Sequence, residues 1–312
     1  MKRSLVLAGG GAKIGWASGV LQVLMEESDL EFDHIDATSG SVFNLGMLLS
    51  GRSAGEIAEA WGNLSPREFL SFHPWWRYLA FWTLPSLLTQ DAAVRRILPK
   101  WGIDLAKVRT CRQVNGHPVT ATFNVVDFTT KRIKTIPHEQ MDLDYFLAVD
   151  AVPGVVPPVA KDGTLYVDAL LLKDANLAEA VRQGAEEIWV IWAIEDRPEW
   201  RGGFWNHLGH IFEICATGNL KRELDRIAEV NEHVAAGTAE PGQRHVTVHI
   251  VRPRHPIPVG YLFFRGRRQM RPTIEAGRIA AREYLGRTGH LRRAAPAGAA
   301  RTPRPESARA AP

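Results

Sequence analysis

Ser39 and the run Gly9-Gly10-Gly11-Ala12-Lys13 are the residues whose types and setting suit chemistry. Acyl transfer needs a nucleophile, a base for its proton, and donors for the oxyanion that forms. Ser39 lies between a short apolar run at 34–38 and a second apolar run at 42–49. Read as strand, sharp turn and helix, this is the place of a nucleophile elbow. The glycine run follows Ser4-Leu5-Val6-Leu7-Ala8 and precedes an amphipathic stretch that reaches Met25. Such a loop offers backbone N–H groups to an anion at a helix start. Gly10, Gly11 and Gly40 are the expected donors. Lys13 reads equally as a positive charge beside the oxyanion or as a solvated lysine at a helix start.

Each signal is weak alone. Ala37 and Ser41 stand two positions either side of Ser39, so the strict G-x-S-x-G pattern is not met. Both are small, as a tight strand-to-helix turn requires. A serine in such a loop is more often a helix N-cap. The glycine run is not a dinucleotide fingerprint, because Ile14 stands where G-x-G-x-x-G needs glycine, and it is not a P-loop.

Strands and helices alternate along the rest of the chain. Trp16, Val20, Leu21 and Leu24 have helical spacing, with Gly19 among them where something packs closely. Ser53 reads as the N-cap of a helix, three residues before Glu56. Strands are expected at 118–126, 131–137, 164–167, 187–193 and 245–251. Helices are expected at 177–183, 205–235 and 267–285, and a broken one at 145–156. Asp174 and Asn176 read as turn-shaping residues before the helix at Leu177, with a catalytic part as the lesser alternative for Asp174. This alternation predicts an α/β fold with a mainly parallel sheet covered on both faces. One domain is expected over 1–286, followed at 287–312 by a disordered Ala/Arg/Pro-rich tail.

Composition narrows the function classes. After residue 291 five arginines face one acid, Glu306, and that difference is the whole net charge of +4. The body is neutral, so no nucleic-acid partner is expected. Cys111 and Cys215 form no disulfide framework or zinc spacing and read as buried thiols. No apolar run is long enough for a bilayer. The expected location is cytoplasmic, with peripheral membrane contact through segment 69–88 and the basic tail. The aromatics of 69–101, Trp75, Trp76, Tyr78, Phe81 and Trp82 among them, read either as an interfacial lid or as a buried cap.

Taken in order, the glycine loop after the first strand, the serine elbow, Val152-Pro153-Gly154-Val155-Val156-Pro157-Pro158 and Tyr166-Val167-Asp168 resemble the patatin-like phospholipase family. The resemblance covers about residues 5–193. It implies a three-layer, α/β-hydrolase-related fold and a Ser–Asp dyad that hydrolyses lipid or other acyl esters without metal or organic cofactor. Carried over, Ser39 is the nucleophile and Asp168 the base. Gly9, Gly10 and Gly11 form the oxyanion hole, and Lys13 is the motif's basic residue. Ile14, Ala37, Ser41 and Ala169 replace glycines of the family pattern. An alternative is therefore a weakly active or inactive lipid-binding module. No histidine stands in a stretch that singles it out for a triad.

Overall fold

The computed structural model describes residues 1–89, 91–195, 202–262 and 264–292. Strand β1 (Arg3–Leu7) and helix α1 (Ile14–Glu26) enclose the glycine loop, and β2 (His34–Ala37) and α2 (Ser41–Leu49) enclose Ser39. Next come α3 (Ala54–Gly62), α4 (Asp91–Trp101), β3 (Thr120–Asp127), β4 (Arg132–Pro137) and α5 (Leu143–Val149). The chain continues through β5 (Val159–Lys161), β6 (Thr164–Asp168), α6 (Leu170–Lys173), α7 (Leu177–Arg182) and β7 (Glu187–Ile191). It closes with α8 (Phe204–Ala236), β8 (Thr247–Val251) and α9 (Arg267–Thr288).

The fold is α/β with three layers. Strands β8, β7, β1, β2 and β3 pair in parallel, and β4, β6 and β5 join antiparallel. Along β1 the side chains alternate between two cores. Leu5 and Leu7 pack with Trp16, Phe43, Trp61 and Ile274, while Val6 packs with Leu177, Val190 and Leu220. A strand buried on both faces reads as a continuous apolar run, as residues 5–7 of β1 and 188–191 of β7 do.

The register along β3 decides where the site lies. Ala37 of β2 pairs with Phe123, and Asp168 of β6 pairs with Val125. Strand β4 pairs across 122–127 and so occupies the opposite edge of β3. Strands β2 and β6 therefore share one edge and run head-on, their C-terminal ends meeting between Phe123 and Val125.

Helix α1 is buried almost all round. A Cβ on Gly19 would sit 2.1 Å from the carbonyl oxygen of Ile274, and one on Gly277 2.1 Å from that of Trp16. The two glycines let α1 and α9 cross with their backbones in contact. The Ser53 capping box with Glu56 is formed.

Several expectations need correction. The helix expected at 145–156 stops at Val149, four residues before Pro153, and β5 was not foreseen. Cys111 and Cys215 are half-buried rather than buried. Helix α9 runs two residues past the expected start of the tail, and Arg292 beyond it donates to Asp29 at 2.7 Å. The rest of the tail, 293–312, lies outside the described residues. No helix among those described is long and apolar enough to cross a membrane.

Candidate active site

Ser39 has φ 56°, a left-handed backbone that costs an ordinary residue about 1–2 kcal/mol. The strain is held in place from both sides. Thr38 N–H donates to Leu7 O at 3.1 Å, and Ser41 Oγ donates to Ala8 O at 2.6 Å, which ties the turn to the end of β1. Behind β2 lies a buried polar network. Asp36 accepts from Thr122 Oγ1 at 2.6 Å and from Asn124 Nδ2 at 2.7 Å, and Asn176 Nδ2 donates to Asn124 Oδ1 at 2.7 Å. Burial pushes the Asp36 carboxyl up to about 7 despite the two donors.

Asp168 ends β6 beside Ser39. Its Oδ1 accepts from Leu170 N–H at 2.8 Å, while its buried Oδ2 has no hydrogen-bond partner. Burial raises its pKa well above the usual carboxylate range. The Ser39 hydroxyl and the Leu170 N–H pull it down, and the charges of Asp150 and Asp174 push it further up.

The glycine loop forms the third wall. Gly9 is confined: a Cβ there would lie 2.3 Å from Asp174 Oδ1 and 2.9 Å from Ser39 Cβ. Its N–H donates to the Asp174 carbonyl at 3.4 Å. Gly11 has φ 54° and abuts the carbonyl oxygen of Tyr261. Gly40 opens α2 and packs against Gly11. A cavity of about 30 Å³ lies between Gly10, Gly11, Ser39 and Asp174, closed by the apolar side chains of Val152, Leu170, Ile194, Phe212 and Leu262. It has room for a water, not for an acyl chain. No histidine lines it among the described residues.

Lys13 is not the solvated lysine of a helix start. It is buried, with Nζ 2.9 Å from Glu195 and 3.9 Å from Glu213, and it lies 4.3 Å from the centre of the Tyr261 ring. Tyr261 in turn donates its hydroxyl to Glu213, and its carbonyl accepts from Ala12 N–H at 2.7 Å. Lys13 thus fastens the glycine loop to α8 and to the 257–262 segment.

The four positions that depart from the family glycines need none. Ile14 is right-handed helical at φ −60°, Ala169 has φ −80°, Ala37 lies in β2 and Ser41 in α2. Asp174 was expected to shape a turn. Asn176 does so, accepting from Glu179 N–H at 3.1 Å, whereas Asp174 lines the cavity.

The buried-cap reading of the aromatic segment fails at its centre. Leu70 and Leu88 pack with Val155, Leu170 and Phe212, and Leu88 N–H donates to Val155 O at 2.7 Å. Between these anchors Trp75, Trp76, Leu79, Phe81 and Trp82 are each more than half exposed.

The family model of the patatin-like phospholipases matches residues 5–182. Among solved structures, VipD from Legionella pneumophila is similar at 12% identity and TM-score 0.45, covering 92% of this chain and 67% of its own. The type III effector protein ExoU is similar at 12% identity and TM-score 0.42, and the chain spans 53% of its length. No curated protein matches the chain.

Proposed function

The chain belongs to the patatin-like phospholipase family, and from that membership we propose that it hydrolyses acyl esters of lipids with Ser39 as nucleophile and Asp168 as its base. The observation that carries this reading is the strained Ser39 turn with Asp168 beside its hydroxyl. Ser39 Oγ attacks the ester carbonyl as its proton passes to Asp168 Oδ2. The N–H groups of Gly10, Gly11 and Gly40 hold the oxyanion. The intermediate then expels the alcohol, which takes the proton from Asp168, and water releases the acyl group by the same route. A carboxylate whose hold on a proton is raised by burial is a stronger base toward the serine hydroxyl. Gly9 serves as the spacer between Ser39 and Asp174, since its N–H is engaged by Asp174. Lys13 is a positioning residue for the loop.

The substrate arrives from a lipid surface. The exposed indoles of Trp75, Trp76 and Trp82 favour the bilayer boundary. The segment that carries them is anchored by Leu70 and Leu88 to the apolar wall of the cavity. The arginines after 292 add attraction to anionic lipid.

Fluorophosphonate labelling tests the chemistry. Label should be recovered on Ser39, and Ser39→Ala should abolish hydrolysis of a p-nitrophenyl ester with unchanged circular dichroism. Wild-type turnover in Ser39→Ala would remove Ser39 as nucleophile.

A further inference from the structure

The proposed mechanism leaves one group in the cavity unused. Asp174 is 2% exposed and its Oδ2 is buried without a hydrogen-bond partner. It lines the same cavity as Ser39, Gly10 and Gly11. A Cβ placed on Gly9 would meet both Asp174 Oδ1 and Ser39 Cβ, so the two side chains lie close together against the glycine loop. That places the carboxyl on the glycine-loop side of the serine, where the oxyanion forms, while Asp168 approaches from the end of β6.

We propose that Asp174 is a catalytic residue: in its protonated form it donates from Oδ2 to the carbonyl oxygen of the bound ester and strengthens that bond as the oxygen gains charge. This inference rests on the acyl-hydrolase reading above. Its proton stays on Asp174 throughout, and Asp168 alone carries the proton that moves from Ser39 to the leaving alcohol. A buried acid with no partner can hold a donor ready with little reorganisation, the feature that makes such donors effective.

The surroundings keep the acid neutral. Burial raises its pKa to about 7, with the Gly9 N–H opposing. Asp168, at the same end of the sheet, also holds its proton above the usual carboxylate range, and variants at 174 separate the two acids. The nearby cations are engaged elsewhere: Lys13 with Glu195 and Glu213, and Lys173 with Glu223 at 3.0 Å. Asp36 also titrates near 7, but from behind β2, so variants at 174 separate the two.

The test is the pH dependence of kcat/KM for p-nitrophenyl butyrate in wild type, Asp174→Asn and Asp174→Ala, each checked by circular dichroism. Wild-type activity should fall as pH rises past about 7, where Asp174 would become an anion beside the oxyanion. Asp174→Asn keeps a donor that does not titrate, so it should stay active and lose that alkaline fall. Asp174→Ala should lose at least ~10²-fold in kcat at acidic pH, the scale for removal of one oxyanion donor. An unchanged alkaline fall in Asp174→Asn, or full kcat in a folded Asp174→Ala, would overturn this inference and leave the dyad standing. A wild type that neither turns over ester nor takes label at Ser39 would overturn the acyl-hydrolase reading, and this inference with it.

Discussion

Ser39 and Asp168 meet because the strands that carry them run head-on along one edge of β3, with Ala37 opposite Phe123 and Asp168 opposite Val125. The geometry asks little of either side chain, since both sit where a strand has just ended. Asp168→Asn keeps the shape but cannot take the proton. It should lower kcat by at least ~10²-fold, the scale of general-base catalysis. Its melting temperature should hold or rise, because a carboxyl that resists ionisation is replaced by a neutral amide. Steady-state kinetics with thermal melts check both, and an active Asp168→Asn would end the dyad assignment.

Stability should fall as pH rises from 6.5 to about 8. Asp36 and Asp174 have folded pKa values near 7, against a usual 3.8, and Asp168 is also raised. The folded state therefore holds their protons more tightly, and the stability they lend is lost as pH passes their folded values. His34 acts oppositely. Burial lowers its pKa from 6.5 to about 4, so it favours the folded state more as pH rises through that interval. Above 6.5 the His34 contribution fades and the aspartates dominate among these groups. Melting temperatures across this range check the sign, and a rise with pH would refute it.

Lys13→Ala should destabilise the protein by about 3 kcal/mol or more, because it removes the cation between two buried carboxylates. Proteolysis should then cut first within 257–262, the segment that Lys13 and Tyr261 fasten to the glycine loop. Denaturant melts and mapping of early cuts check this. A wild-type melt would mean that the carboxylates need no cation.

Replacing Trp75 and Trp76 with alanine should leave the melting temperature nearly unchanged, since both indoles are more than half exposed. Hydrolysis of phospholipid vesicles should drop, while turnover of a soluble ester stays. Equal losses on both substrates would assign the segment a packing role.

The sequence was most legible where function is local. The strand, glycine loop and helix at the start, the Ser39 turn and the strand ending at Asp168 all follow from short patterns. What escaped was set by distant partners. Nothing near Lys13 announces Glu195 and Glu213, 182 and 200 residues further on. Asp174 sits in Lys173-Asp174-Ala175-Asn176, a string that reads as a turn. Its signal was faint: a lone acid in a chiefly apolar stretch just after Asp168. The tryptophans of 75–82 looked as suited to a core as to a surface, and Leu70 and Leu88 turn inward as anchors. The departures at Ile14, Ala37, Ser41 and Ala169 look damaging on paper, yet none of them has a backbone that needs glycine.

The crossing of α1 and α9 has a consequence for the order in which the fold can assemble. Helix α1 is made long before the surface that covers it: Arg278 reaches Gln22 across 256 residues of chain. Until α9 is available, the flank of α1 at Trp16 and Gly19 stays open, although β1, β2, β3 and β6 already exist as sequence. Contacts of such long separation slow folding and leave apolar surface exposed meanwhile. The nascent chain would therefore carry Ser39 and Asp168 for some time before it could hold them rigidly, and chaperone demand should be greatest in that interval.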